Sequence, residues 1–143
     1  MEYWVTKAAE FLPELEALIT RVQPVSGPMG LWSDLYFELV KAYDVSPINE
    51  DLIRRIYAFA AWCLNRPKAS DASTDASSAV AVAFIEDLPL DRRIWEDLHR
   101  WMSVETFKGL ENLFRYHLSE AEYREFSSEF IRKKKLADSP SCI

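Results

Sequence analysis

The sequence predicts an all-α fold, and three observations carry that prediction. The 143 residues include only three glycines, Gly27, Gly30 and Gly109, where an average soluble chain at about 7% would hold roughly ten. Glycine supplies the positive-φ positions of tight hairpins, so a chain nearly without it lacks the turns of a many-stranded sheet. Apolar residues recur at three- and four-residue spacings through most of the chain, the period of one helix face. Proline, serine and aspartate stand between those stretches at positions that suit helix starts. Together these features predict one domain over residues 1–136, a bundle or a short stack of helical hairpins with about seven to eight helices.

Tyr3 to Phe11 sets Trp4, Val5, Ala8 and Phe11 at helical spacing. Pro13 suits the first turn of a second helix, Glu14–Val22, whose early Glu14 and Glu16 favour the positive end of the dipole. The run Gln23-Pro24-Val25-Ser26-Gly27-Pro28-Met29-Gly30 reads as a break. A third helix follows from Leu31 to Tyr43, with Trp32, Leu35, Tyr36 and Leu39 on one stripe. Ser46-Pro47 fits as N-cap and first residue of a fourth helix. That helix carries Leu52, Ile53, Ile56, Phe59, Ala60 and Cys63 inward, with Glu50, Asp51, Arg54 and Arg55 outward, and stops near Asn65. The polar stretch over 66–74 reads as a mobile loop.

Asp75 to Asp87 is the fifth predicted helix. Its Ala79-Val80-Ala81-Val82-Ala83-Phe84-Ile85 run is apolar all round, as in a helix central to a bundle. A buried strand is the alternative for a β-branched run, disfavoured by the flanking alanines and the missing hairpin turns. Pro89 closes the helix, and Asp91 can cap the next, with Ile94, Trp95, Leu98, Trp101 and Met102 on one face. Ser103 caps a seventh helix bearing Phe107, Leu110, Leu113, Phe114 and Leu118, with Gly109 inside it as a close-packing point. Ser119-Glu120-Ala121-Glu122 has the form of a capping box. The last helix runs to about Lys135 with Tyr123, Phe126, Phe130 and Ile131 inward, and 137–143 reads as a frayed tail.

A hydrophobic content of 49%, with five Trp, six Tyr and eight Phe, supplies a real core and excludes disorder for most of the length. The net charge of −6 argues against nonspecific nucleic-acid binding, which needs clustered Lys and Arg. Charge is uneven, with 13 acidic against 6 basic residues from Asp71 to Ile131, followed by the wholly basic Arg132-Lys133-Lys134-Lys135. That run reads as a solvated helix C-terminus whose cations oppose the dipole, and a nucleic-acid or membrane contact is the sharper alternative. Two cysteines make no disulfide framework, and Cys63 reads as a small core residue. The start Met1-Glu2-Tyr3-Trp4 has no basic n-region or apolar h-region, and apolar runs such as Ala58–Leu64 fall far short of the ~20 residues of a spanning helix. A cytoplasmic protein without membrane association is therefore expected.

Candidate chemistry is sparse. Glu96-Asp97-Leu98-His99 contains Glu-x-x-His, the helical spacing of di-iron carboxylate bundles. A second such motif is missing, because Phe114 stands three residues before His117. A mononuclear site from Glu96, His99 and a remote carboxylate survives as the lesser alternative, and no metal or other cofactor is expected. His117, on the stripe of Leu110 and Phe114, reads as a core histidine bonded through one nitrogen. Cys63 has neighbours that should raise its thiol pKa, and no serine sits in a strained turn. Glu86 and Asp87 close the most apolar helix at the end where the dipole disfavours negative charge. An ion pair with Arg92 and Arg93 that pins the Leu88-Pro89 turn answers this, and contact with a basic partner group or a cation is the alternative. Trp32, directly after the proline and glycine break, is the tryptophan best placed to anchor an interface. The acids between Glu105 and Glu129 read first as a solvated face and second as an electrostatic docking patch.

Leu31-Trp32-x-x-Leu35, Ala60-Ala61-Trp62-Cys63-Leu64 and Ala79-Val80-Ala81-Val82-Ala83-Phe84-Ile85-Glu86-Asp87-Leu88-Pro89 carry a resemblance. Over Leu31–Phe130 the chain resembles a family of small all-helical bacterial domains with no assigned activity, which implies the fold and leaves function to the residues. In size and charge it is also similar to small acidic helical bacterial proteins that serve as antitoxin or immunity partners. The leading reading is a non-enzymatic protein-binding domain, immunity- or antitoxin-like in one form. It would present an acidic face of Glu86, Asp87, Glu96, Asp97 and Glu111, with Trp32 at the rim, to a basic protein partner. Nucleic acid and membrane are not expected as partners, and a homodimer is a structural variant of the same reading. The rival is a helical metal-dependent or small-ligand enzyme centred on Glu86, Glu96 and His99.

Overall fold

The computed structural model describes residues 3–67 and 75–137, and among them every regular element is helical. The chain divides into two compact units, Met1–Phe84 and Ile85–Ile143. Most of the loop expected over 66–74 and nearly all of the tail expected over 137–143 lie outside the described residues.

In the first unit, α1 (Tyr3–Phe11) buries Trp4, Val5 and Ala8. A single 3-10 turn, Pro13–Leu15, with Pro13 in its first position, leads into α2 (Glu16–Asp44). The break expected over 23–30 is compressed to one residue. Gly27 adopts φ 60 and ψ −154, and two helices join across this kink. That backbone conformation is essentially restricted to glycine, and Pro28 suits the first turn of the helix that resumes, so no loop is needed. Gly27→Ala is expected to cost about 1–3 kcal/mol, measured by urea denaturation.

Helix α3 (Glu50–Leu64) starts later than Ser46-Pro47. Asn49 is its N-cap, and the Asn49 side chain accepts from Leu52 N at 3.2 Å. Arg55, expected on the outward face, instead straps this unit together. Its guanidinium donates to the Phe11 carbonyl at 3.0 Å, to Glu14 at 2.7 Å and to Asp51 at 2.9 Å. The same guanidinium holds the Glu14 carboxyl below its ordinary range.

Helix α4 (Ala76–Ala83) is capped by Asp75, which accepts from Ser78 N at 3.1 Å. It is not buried all round. Ala76, Ala79, Val80 and Ala83 face inward, while Val82 is 46% exposed. Nor does it reach Asp87, because Phe84 leaves helical geometry and a 3-10 turn, Ile85–Leu90, contains Pro89. Helix α4 packs on α2 and α3. The centre of this unit is aromatic: Trp32 stacks on Phe59 at 5.0 Å and lies 4.7 Å from Phe84.

The second unit continues with α5 (Arg92–Asp97), a 3-10 turn Leu98–Arg100, α6 (Val104–Gly109), α7 (Glu111–Phe114) and α8 (Glu120–Leu136). Three caps act as the sequence implies. Asp91 accepts from Arg93 N at 2.9 Å, Ser103 accepts from Thr106 N at 3.1 Å, and Ser119 and Glu122 form both bonds of the capping box. The seventh predicted helix is broken in two at Leu110, whose N–H is shared between the Thr106 and Phe107 carbonyls in a tightened turn. Gly109 is not a close-packing point, since a Cβ built there meets nothing within 4 Å. Gly109→Ala is therefore expected to raise stability by about 0.4–1 kcal/mol, seen as a higher urea midpoint, because only the unfolded chain loses freedom.

Phe107 stacks on Phe130 at 4.0 Å and touches Phe114 and Phe126, while the Trp95 ring meets Phe126 edge-on at 4.9 Å. The Trp95 indole N–H donates to Glu129 at 2.7 Å. Part of the basic run is structural. Lys133 Nζ donates to the Glu96 carbonyl at 2.7 Å, and Lys134 Nζ donates to the His99 carbonyl at 3.0 Å. These lysines satisfy carbonyls at the end of α5 and in the turn after it, a role cations commonly take at helix C-termini.

Candidate functional site

Glu86 and Asp87 stand in the first turn of the Ile85–Leu90 segment and do not close α4. The expected pin to Arg92 and Arg93 is not formed. Arg92 pairs with Glu125 at 2.7 Å and Glu96 at 3.6 Å and lies over the Trp95 ring, while Arg93 pairs with Asp91 at 3.0 Å. At the start of a turn rather than its end, the two acids face no opposing dipole and need no such pin. Asp87 is instead 3.1 Å from His117 Nε2. His117 is thus a half-exposed surface group and not a core histidine, because the helix break at Leu110 turns its side chain off the apolar stripe.

The remaining acids singled out by sequence hold local donors. Asp97 accepts from Arg100 at 3.1 Å and from the Trp101 indole at 2.9 Å. Glu111 accepts from Arg115 at 3.1 Å, and Arg115 also reaches Glu120. Trp32 is fully buried against Phe59 and Phe84, so it is a core residue and cannot sit at the rim of an interface. The compression of the 23–30 break into one kinked residue keeps Trp32 inside the helix-packed core.

Glu96 and His99 are not brought into a ligand set. The Glu96 carboxylate faces Arg92, and burial, with Lys133 beside it, pushes the His99 imidazole below its ordinary pKa. His99 Nδ1 is buried without a hydrogen-bond partner among the described residues. Among the described residues no group of three or more His, Cys, Asp or Glu is placed to hold a metal ion. Cys63 is buried, and burial pushes its thiol up to about 12, far from a reactive thiolate.

Concave surface lies elsewhere, along the last turns of α8. One hollow of about 530 Å³ is lined by Ser127, Ser128, Ile131, Arg132, Lys135 and Leu136. A second, of about 410 Å³, is lined by Val104, Lys108, Ile131, Lys134 and Lys135. They share Ile131 and Lys135, one helical turn apart, and so adjoin along α8 as a two-part, solvent-open trough. Apolar Val104, Ile131 and Leu136 line it together with cationic Lys108, Arg132, Lys134 and Lys135. Arg132 and Lys135 are exposed, as the solvated-end reading of the basic run expects, but that reading gives no hint of the hollow. The signal was present in Ile131 and Leu136, apolar residues that flank the run on both sides.

The chain matches no family model, no curated protein and no solved structure. Among the described residues no helix is long and apolar enough to cross a membrane.

Proposed function

We propose that the chain is a non-enzymatic, protein-binding helical domain whose contact surface is the trough on α8. The observation that carries this reading is Leu136, which is 79% exposed beside the half-exposed Ile131 in a concave, solvent-open setting. Apolar side chains gathered in a hollow and rimmed by polar groups gain free energy when a partner covers them. The acids at Asp87, Glu96, Asp97 and Glu111 supply less of a surface for a basic partner, since each already holds a cationic or titratable neighbour. An exposed, already paired charge adds little to binding.

A photo-crosslinking residue placed at Leu136, with Val82 as an exposed control in the first unit, tests the proposal in native cells. The expected result is a discrete protein adduct at position 136 that is missing at position 82. Absence of any protein adduct at 136, or identical adducts at both positions, overturns the proposal.

A further inference from the structure

We infer that the trough takes an acidic amphipathic segment of the partner protein, an inference that rests on the protein-binding reading above. The charge pairing of the second unit points to it. Arg92, Arg93, Arg100, Arg115, Arg124 and Lys133 each pair with a carboxylate. Lys134 reaches the His99 carbonyl. The cations left over are Lys108, Arg132 and Lys135, which are exposed and have no carboxylate partner among the described residues. All three line the same trough. In a unit otherwise rich in acids, the cations without a carboxylate partner among the described residues are gathered along α8 and the facing α6.

The apolar lining decides what kind of anion fits. Val104, Ile131 and Leu136 line the same surface as the cations, and Ser127 and Ser128 add hydroxyls to it. A small inorganic anion makes no use of an apolar lining. A helical segment with apolar anchors at i, i+3 and i+4 and carboxylates on its flanks satisfies both parts at once. The net charge of −6 repels such a segment elsewhere on the chain, so attraction at the trough also sets its placement.

The test is a fluorescence-anisotropy titration of the full chain. The probe is a labelled synthetic peptide with leucines at i, i+3, i+4 and i+7 flanked by glutamates. Binding is expected to weaken as salt rises. It is also expected to fall about tenfold in the K108Q/R132Q/K135Q triple variant and measurably in Leu136→Ala, with far-UV circular dichroism unchanged. Equal binding of the same peptide with glutamine for glutamate overturns the acidic partner. So does preferential binding to phosphatidylserine-containing vesicles, or no peptide binding at all. In each of these cases a retained crosslink at position 136 leaves the protein-binding reading standing, while loss of that crosslink removes both.

Discussion

Truncation of Trp32 to alanine is expected to destabilise the first unit by about 3–5 kcal/mol, the range for removing a fully buried large aromatic side chain. Trp32 is inaccessible to solvent, its ring is stacked on Phe59 with the planes 16° apart, and it meets the Phe84 ring at 4.7 Å. Removal leaves a cavity between α2, α3 and the end of α4, and the helices around it cannot close fully, so the cost exceeds the transfer term alone. Trp32→Phe keeps the stack and is expected to lose much less. Hydrogen exchange of α2 and α3 amides, together with urea denaturation, checks both variants. A loss below about 1 kcal/mol for alanine would place the indole at the surface and restore the rim role that its position after the proline and glycine run implies.

The error over Trp32 shows where sequence reading works on this chain. Helix starts set by one side chain were legible because capping is local: Asp91, Ser103 and the Ser119–Glu122 pair act where the spacing places them. Ser46 fails the same test because Asn49 competes for the cap and wins three residues later. Gly27 shows the limit of composition. Prolines and glycines mark a discontinuity, but only backbone geometry tells whether it takes a loop or a single residue at φ 60. The apolar run 79–85 misled for a similar reason, since Phe84 turns away after one short helix and leaves Val82 facing solvent.

Charge pairs within one helix follow the three- and four-residue spacing, as in Arg115–Glu111 and Lys133–Glu129, but partner choice between helices was not legible. Arg92 stands five residues from Asp87 in sequence, yet it pairs with Glu125 on α8. Such pairing depends on which helices pack together, which local spacing does not encode. The same holds for Lys133 and Lys134, which read as solvated ends and instead cap the α5 region. With those pairs assigned, Lys108, Arg132 and Lys135 are the cations of the second unit that have no carboxylate partner among the described residues.

Phe107 and Phe130 are expected to be energetically coupled, and their stack joins α6 to α8, the two helices that line the smaller hollow. The rings lie 4.0 Å apart with planes within 9°, and both side chains are buried. Each alanine variant alone is expected to cost about 3–5 kcal/mol. The double variant should cost less than the two losses combined by about 0.5–1.5 kcal/mol, because either single truncation already abolishes the shared contact. Urea denaturation of the four proteins measures the difference, and strict additivity would mean that the rings do not act on each other. The positions matter for function as well. Val104 and Lys108 lie three residues before and one after Phe107 on α6, while Ile131 and Lys134 lie one and four residues after Phe130 on α8. The stack therefore holds Val104 and Lys108 of α6 against Ile131 and Lys134 of α8 in the smaller hollow. Phe107→Ala, studied where it remains folded, should weaken binding of the acidic peptide although Phe107 itself is 1% exposed and cannot touch it. Unchanged peptide binding in that variant would show that those groups are positioned by other contacts.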